Sequence, residues 1–205
     1  MNMEWSFIIC TDGINNLQFH ETIIETIVNQ NIPKFEIIFV CENLNFKPLA
    51  HPNIITIYTP FIKDKHITFK KNVGIRCAKY ENLCILHDYL VLDIDWYQSM
   101  LKFEKDWNVC SFRIINLDNT RFSDWVIFNH PIHGHTLVDY NTPTTEYHYV
   151  PGLAYCVKKY FAVKYPLNEE LVWGEAEDIE WSDRIKIEWN YHLNINALIY
   201  SLKQK

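Results

Sequence analysis

The stretch Leu83-Cys84-Ile85-Leu86-His87-Asp88-Tyr89-Leu90 decides the fold of this chain. Its first four residues are apolar, which is typical of a strand buried in a sheet, and the run ends on a histidine and an aspartate. In open α/β sheets, ligands bind at the carboxyl ends of the strands. The segment therefore predicts a ligand or metal site at that edge of a sheet.

The rest of the chain alternates between strand-like and helix-like patterns. Compact apolar runs predict strands at residues 5–10, 35–41, 54–58, 83–86, 109–117, 149–157 and 195–200. Apolar residues at helical spacing predict helices at residues 17–28, 67–79, 96–103 and 176–187. Residues 118–148 have no clear period and are predicted to form a long functional or mobile loop. The alternation predicts an α/β fold with a mostly parallel central sheet and helices on both faces.

The bulk properties exclude some classes of function. A length of 205 residues suits one domain, and a net charge of -6 excludes nucleic acid as the main partner. There is no apolar run of the ~20 residues that a membrane span needs, so membrane contact is expected to be peripheral. The six cysteines lie mostly in apolar runs without C-x-x-C spacing, and no signal peptide is evident at the start. We therefore expect a reduced, cytoplasmic protein.

Four further motifs accompany the first segment. They are Thr11-Asp12-Gly13 after the first strand, Cys41-Glu42 after the second, the helix Lys71-Asn72-Val73-Gly74-Ile75-Arg76-Cys77-Ala78-Lys79, and the segment Trp173-Gly174-Glu175-Ala176-Glu177-Asp178. Their order resembles the GT-A type glycosyltransferases, especially family 2, which move a sugar from a nucleotide diphosphate to an acceptor. The resemblance implies one GT-A domain over residues 1–205. Residues 1–95 would bind the nucleotide sugar, and residues 96–205 would bind the acceptor and carry catalysis.

The resemblance implies that the first two motifs bind the nucleotide. Thr11 and Asp12 match the family's first nucleotide-contacting loop. Cys41-Glu42 replaces the family's paired aspartates, and Glu42 keeps one acid that can accept the imide N–H of uracil. The alternative for Glu42 is a solvated loop residue.

The helix motif resembles the family's R-N-x-G-x-x-x-A segment. Its amino end would face the pyrophosphate, because free N–H groups and the helix dipole favour anions. Lys71, Asn72 and Arg76 are therefore predicted donor-binding residues. The alternative is a solvated cationic helix face.

His87-Asp88-Tyr89 stands where the family carries its acidic D-x-D motif, and only the central acid is kept. Asp88 and His87 are the predicted ligands of a divalent ion, Mn²⁺ or Mg²⁺, which would offset the charge of the departing diphosphate. An imidazole ligand favours Mn²⁺. Tyr89 is expected to contact the sugar or to fill space beside it. The late metal-binding histidine of many family members is replaced here by Ser201.

The last motif resembles the family's W-G-x-E-D segment, in which an acid removes the acceptor's hydroxyl proton. By register the base is Asp178, and Glu177 orients the acceptor. The preceding residues, Trp173, Gly174 and Glu175, are predicted to bind the acceptor. The alternative is that these acids only complement the dipole of a helix amino end.

Three histidines lie within six residues at His130, His133 and His135. In the resembling fold this region faces the acceptor sugar, so His133 and His135 are predicted acceptor-binding residues. Plain surface histidines and a zinc site are the alternatives.

The sequence thus predicts transfer of a sugar from a nucleotide-diphosphate sugar, expected to be a UDP-sugar, to the hydroxyl of a glycan or other acceptor. The resemblance implies a metal-assisted reaction that inverts the anomeric centre. The alternative is a catalytically eroded GT-A module that binds a sugar or nucleotide. A histidine-centred metalloprotein is a second rival.

Overall fold

The computed structural model describes residues 3–61, 66–103, 106–171 and 174–203. The strands are β1 (Trp5–Thr11), β2 (Phe35–Cys41), β3 (Ile54–Tyr58), β4 (Asn82–His87), β5 (Leu90–Leu92), β6 (Val109–Asn116), β7 (Val126–His130), β8 (Gly134–Leu137), β9 (His148–Tyr149), β10 (Ala154–Lys158) and β11 (Tyr191–Ser201). The helices are α1 (Leu17–Val28), α2 (His66–Cys77), α3 (Trp96–Lys102), α4 (Lys159–Lys164) and α5 (Glu177–Ile185).

Eight strands form one sheet in the order β3-β2-β1-β4-β10-β6-β11-β5. The strands β3, β2, β1 and β4 pair in parallel, and so do β6 and β11. The strand β10 runs antiparallel to both of its neighbours, and β5 runs antiparallel to β11 at the edge. The prediction of a mostly parallel α/β sheet is confirmed.

The sheet is covered on both faces because its strands bury alternate side chains on opposite sides. Phe7 and Ile9 of β1 belong to a core with α1 and α3, in which Ile23 and Trp96 are buried. On the other face, Ile8 belongs to a core shared with α2, α4 and α5. The buried side chains that these three helices contribute are Ile75, Phe161, Ala162, Trp181 and Ile185, and Ala78 joins them just after α2.

The parallel register gathers the predicted motifs at one edge. Cys10 pairs with His87, and Thr11 pairs with Cys41, so β1, β2 and β4 end side by side. At the far edge, Ser201 of β11 pairs with Leu90. Leu202 and Lys203, which follow β11, therefore lie beside the turn that contains Asp88 and Tyr89.

The prediction of a long loop over residues 118–148 is wrong. This region contains most of a second, three-stranded antiparallel sheet in the order β8-β7-β9. The strand predicted at 149–157, with an interruption at Pro151-Gly152, is two strands in the structure, since β9 ends at Tyr149 and β10 begins at Ala154. Pro151 and Gly152 lie in the gap between these two strands.

Candidate active site

A cavity of about 790 Å³ lies at the carboxyl edge of the main sheet. Its volume is within the range of small-molecule sites in proteins. We call it the edge cavity; its lining residues are Cys10, Thr11, Asp12, Asn15, Asn16, Glu42, Phe61, Ile67, Lys70, His87, Asp88, Tyr89 and Lys203. Six of the predicted donor-binding residues are among them: Thr11, Asp12, Glu42, His87, Asp88 and Tyr89.

Asp88 is buried in the floor of the edge cavity and is held by helix α1 and the loop before it. Its Oδ1 accepts a hydrogen bond from Asn16 Nδ2 at 2.8 Å, and its Oδ2 lies 3.8 Å from His20 Nε2. Burial alone would raise the pKa of Asp88, but hydrogen bonds from His20, Thr11 and Asn16 lower it below the usual value. The carboxylate is therefore ionised at neutral pH.

His87 presents a neutral imidazole beside Asp88. Its Nδ1 lies 3.2 Å from the Tyr89 hydroxyl, while its buried Nε2 has no hydrogen-bond partner. Burial, reinforced by the positive charge of Lys71, lowers the pKa of His87 to about 3. An unpartnered nitrogen on a neutral imidazole is suited to bind a metal ion or to form a hydrogen bond with a ligand.

Glu42 is paired in this structure with a lysine that the sequence analysis did not select. Lys70 Nζ donates to Glu42 Oε2 at 2.7 Å and to the carbonyl oxygen of Thr11 at 2.8 Å. Neighbouring residues of a helix lie about 100° apart. The cavity therefore receives Lys70, and Lys71 is directed elsewhere.

A second cation reaches the edge cavity from the end of the chain. Lys203 Nζ lies 4.4 Å from the centre of the Tyr89 ring. The segment is held by a hydrogen bond from Leu202 N to Tyr89 O at 2.9 Å and by one from Ser201 Oγ to Lys203 O at 3.2 Å. In the sequence, the only indication of this contribution is that a lysine follows the final strand.

The predicted base lies in a second group of polar residues, which we call the Gly152 cluster: Lys71, Gly152, Glu177 and Asp178. Asp178 Oδ2 accepts a hydrogen bond from Gly152 N at 2.9 Å. Lys71 Nζ donates to Gly152 O at 2.8 Å and to Glu177 Oε1 at 3.2 Å. Burial and the adjacent negative charge of Glu177 raise the pKa of Asp178 above its ordinary value.

The backbone between β9 and β10 connects the Gly152 cluster to the edge cavity. His87 N donates to Leu153 O at 2.9 Å, and the preceding residue, Gly152, binds Asp178. His87 and Asp178 thus contact adjacent residues of one backbone segment. Asp178 itself does not belong to the lining of the edge cavity given above.

Three predicted donor-binding residues take other positions. Asn72 exchanges hydrogen bonds with the backbone of Leu167 and donates to Glu169 Oε1 at 2.9 Å. Arg76 is exposed, with its Nη1 3.5 Å from the same Glu169 oxygen. Lys71 belongs to the Gly152 cluster. The structure brings none of the three to the lining of the edge cavity.

The predicted acceptor residues lie on two segments. Gly174 has a φ of 87°, and Glu175 beside it is exposed. Trp173 lies outside the described residues. On the second sheet, His135 Nε2 lies 2.9 Å from the Tyr149 hydroxyl, while His133 stacks on His130 with ring centres 4.8 Å apart.

Tyr149 relates this second sheet to the Gly152 cluster. Burial and the negative charge of Asp178 raise the pKa of Tyr149 to about 12. The next residue, Val150, donates its backbone N–H to Ser182 Oγ of α5 at 2.9 Å, so the strand that carries Tyr149 lies against α5. His135 therefore lies on the Asp178 side of the molecule.

Within the described part of the chain, no three His, Cys, Asp or Glu side chains are placed to bind one metal ion together. The histidines at 130, 133 and 135 are all inside that part, so they do not form the zinc site considered from the sequence. No helix in the same part is both long and apolar enough to cross a bilayer. Cys10, Cys41, Cys77, Cys84 and Cys156 are free thiols, and all of these except Cys77 are buried.

Comparison with known proteins identifies the architecture. No protein-family model matches the sequence, and no curated protein matches it significantly. Among solved structures, Staphylococcus aureus TarS residues 1–349 in complex with UDP-GlcNAc superposes with a TM-score of 0.68 at 12% identity over 99% of this chain. GalNAc-T7 with UDP, GalNAc and Mn²⁺ superposes with a TM-score of 0.73 at 10% identity over 100% of this chain. This chain has the GT-A fold.

The GT-A likeness covers the whole of this chain but only part of the other proteins. The matched region spans 59% of the TarS fragment, 37% of the longer TarS structure and 44% of GalNAc-T7. At 10–15% identity the likeness establishes the fold, and the reaction must be argued from the site.

Proposed function

We propose that this GT-A domain is a glycosyltransferase that moves a sugar from a UDP-sugar to an acceptor hydroxyl. The observation that carries the proposal is the segment 151–153, which joins the edge cavity to the Gly152 cluster. Leu153 O accepts from His87 N, and Gly152 N donates to Asp178. A transferase needs a donor cavity beside a base, and this segment connects such a cavity to a carboxylate with a raised pKa.

The edge cavity is proposed to hold the nucleotide diphosphate. TarS was solved with UDP-GlcNAc and with UDP, and GalNAc-T7 was solved with UDP. Glu42 and Asp12 lie after β2 and β1 and would bind the base and ribose through their carboxylate oxygens. Lys70 and Lys203 would bind the phosphates, because charge-assisted hydrogen bonds to anions are strong. The first part of the chain would thus form most of the donor site.

A divalent metal fits the residues that line the edge cavity. His87 offers an unpartnered imidazole nitrogen and Asp88 an ionised carboxylate. Mg²⁺ and Mn²⁺ are commonly held by one or two protein ligands, with substrate phosphates and waters completing the shell. The imidazole favours Mn²⁺. When bound, the ion would neutralise charge on the leaving diphosphate.

The charge of the cavity supports this assignment. Its lining contains three carboxylates and two lysines, so an incoming diphosphate would raise an excess of negative charge that is already present. A cation that enters with the donor offsets that excess.

Asp178 is proposed as the general base. The acceptor oxygen forms a bond to the anomeric carbon while the bond from that carbon to the diphosphate oxygen breaks and its electron pair leaves with the diphosphate. The acceptor proton passes to Asp178, and this direct displacement inverts the anomeric centre. Burial beside Glu177 raises the pKa of Asp178 and makes the carboxylate a better proton acceptor.

The acceptor is proposed to bind between α5 and the β7–β8 hairpin. Gly174, Glu175 and Glu177 would line one side, with Trp173 beside them in sequence. His133 and His135 would line the other side, where His135 contacts Tyr149. Imidazole and tryptophan side chains suit a glycan, because sugars present both hydroxyl groups and apolar C–H faces.

The free thiols are consistent with the reducing conditions of the cytoplasm, which we propose as the location.

The proposal is tested by UDP release from a panel of UDP-sugars in Mn²⁺, with water as the acceptor. We expect slow release by the wild-type protein and a loss of at least about 100-fold in Asp178→Asn, because the variant lacks the base. UDP affinity, measured by calorimetry, should be unchanged in this variant. Asp183→Asn is the matched control, since Asp183 is an acid on the same helix that pairs with Lys186 on the surface.

Two results would contradict the proposal. If the wild-type protein binds a UDP-sugar but releases no UDP, the chain is a binding module with the GT-A fold. If Asp178→Asn and Asp183→Asn both turn over at the wild-type rate, the base is another group.

A further inference from the structure

Lys71 is a fully buried lysine that donates hydrogen bonds within the Gly152 cluster. Its side chain has 0% exposure, and its Nζ lies 2.8 Å from Gly152 O and 3.2 Å from Glu177 Oε1. The Tyr155 ring lies beneath it, with its centre 6.0 Å from Nζ. Burying an ammonium group is costly unless it is paired and hydrogen-bonded. Such an arrangement holds its partners in fixed positions.

Gly152 uses both polar groups of its backbone in this cluster. Its carbonyl oxygen accepts from Lys71, and its N–H donates to Asp178. A Cβ at this position would lie 3.0 Å from Glu177 Oε1, 3.1 Å from Asp178 Cβ and 3.2 Å from Lys71 Nζ. These distances are tighter than ordinary contacts, so the close approach of the three side chains depends on glycine.

We propose that Lys71 is a positioning residue for the base, which fixes Glu177 and Gly152 so that Asp178 is held by the Gly152 N–H. The inference rests on the proposed function and gives Lys71 a different role from pyrophosphate binding. Lys70, the preceding residue, is the one whose Nζ reaches the edge cavity. Two consecutive lysines of α2 therefore serve the two halves of the site.

The ionisable groups that face Asp178 come from three elements besides its own helix. Glu177 lies beside it on α5, Lys71 reaches it from α2, and Tyr149 and Tyr155 face it from β9 and β10. Among these groups Lys71 is the cation, and its charge opposes the rise in the pKa of Asp178 that burial and Glu177 cause. Removal of the Lys71 charge should raise this pKa further.

The test is Lys71→Met, which keeps the length of the buried side chain and removes its charge. UDP release should fall by about tenfold or more in kcat, as expected when a general base is misplaced, while KM for the UDP-sugar changes less than about twofold. The acid limb of the pH profile of kcat should move to higher pH. A residue that only supports the fold would lower kcat without moving the limb.

Gly152→Ala provides a second variant if Lys71→Met does not fold. It should lower kcat at unchanged donor KM, because the added methyl group separates Glu177 and Asp178 from Lys71. Lys158→Met is the control: Lys158 is half-buried, lies 4.0 Å over the Trp107 ring and bonds Asn82, and its loss should leave kcat and the pH limb unchanged.

The outcomes separate the two proposals. If the wild-type protein turns over and folded Lys71→Met keeps its kcat and acid limb, the positioning role is wrong and the transferase stands. If the acid limb of Lys71→Met shifts no more than that of Lys158→Met, the positioning role is also wrong. If the wild-type protein shows no turnover, the proposed function fails and this inference fails with it.

Discussion

Asp88 and Asp178 carry the same functional group, but their surroundings move their pKa values in opposite directions. Hydrogen bonds from His20, Thr11 and Asn16 outweigh burial at Asp88 and lower its pKa. At Asp178, burial and the charge of Glu177 outweigh the Gly152 hydrogen bond and raise the pKa. Carboxylates separated in this way take different roles in catalysis. A fixed anion suits Asp88, and a proton acceptor suits Asp178.

His148 provides a prediction at this scale about stability. It is buried against Trp125, with ring centres 4.3 Å apart, and burial lowers its pKa to about 4. Below about pH 6.5 the unfolded chain therefore binds a proton that the folded protein does not. The free energy of unfolding should fall by about 2 kcal/mol between pH 7 and pH 5 on account of this residue. Urea titrations of wild-type protein and His148→Asn at several pH values measure the effect.

His148→Asn is expected to be less stable at pH 7, because packing on Trp125 is lost, but to lose less stability on acidification. His133→Asn is the control, since His133 is exposed at the hairpin. Parallel pH curves for the wild-type protein and His148→Asn would contradict the prediction.

The residues of the candidate site were predictable to different degrees. Asp88 and Asp178 follow from the sequence because each ends or begins an element with a strong pattern. The choice between Lys70 and Lys71 does not, because α2 is amphipathic only weakly and both lysines are buried. Lys203 belongs to no recognisable motif. Its place in the cavity depends on the pairing of β11 with β5, which the sequence does not reveal.

At the scale of elements, the longer apolar runs were predicted, whereas the short strands β5 and β7 and the short helix α4 were missed. The bounds of α1, β2 and β3 agree with the prediction residue for residue. The strand β8 was missed because all four of its residues are exposed, so no alternation of apolar and polar residues marks it. The strand β11 was predicted too short, because its register shifts between Asn194 and Leu198.

Gly74 provides a prediction about the packing of α2 on the sheet. A Cβ here would collide with Ile8 Cγ2 and lie 3.2 Å from Val40 Cγ2. Alanine favours a helix by about 1 kcal/mol over glycine, but forcing an extra methyl group into a packed core costs about 1–3 kcal/mol. We expect Gly74→Ala to lower the free energy of unfolding by about 1 kcal/mol, measured by urea denaturation.

Cys77→Ala is the matched control, since Cys77 lies on the same helix and is exposed. Its free energy of unfolding should be within about 0.5 kcal/mol of the wild-type value. A Gly74→Ala protein as stable as this control would show that α2 can move away from β1 without cost.

At the scale of the whole molecule, the segment that follows β11 contributes Lys203 to a cavity whose other lining residues lie in the first half of the chain. Cys10 and Thr11 of β1, Glu42 after β2 and His87 of β4 line the edge cavity. The strand β11 lies on the other side of the sheet, between β6 and β5. Leu202 is then held against Tyr89, and Lys203 follows. The halves at 1–95 and 96–205 are therefore interleaved in the sheet, and the proposed donor site draws on both.

This arrangement predicts that Lys203 contributes to nucleotide binding although it lies more than one hundred residues from the other cavity residues. Lys203→Gln removes one of the two lysines that line the cavity, and loss of a charge-assisted contact to phosphate should raise the Kd for UDP about tenfold, or about 1.4 kcal/mol. Lys34→Gln is the control, because Lys34 is exposed and pairs with Glu4. Lys34 precedes β2, so it lies at the amino ends of the strands, away from the cavity at their carboxyl ends. Calorimetry with UDP in Mn²⁺ measures both. Equal Kd values for the two variants would mean that Lys203 lines the cavity without binding the phosphates. The metal and Lys70 would then have to neutralise the excess negative charge of the lining and the diphosphate.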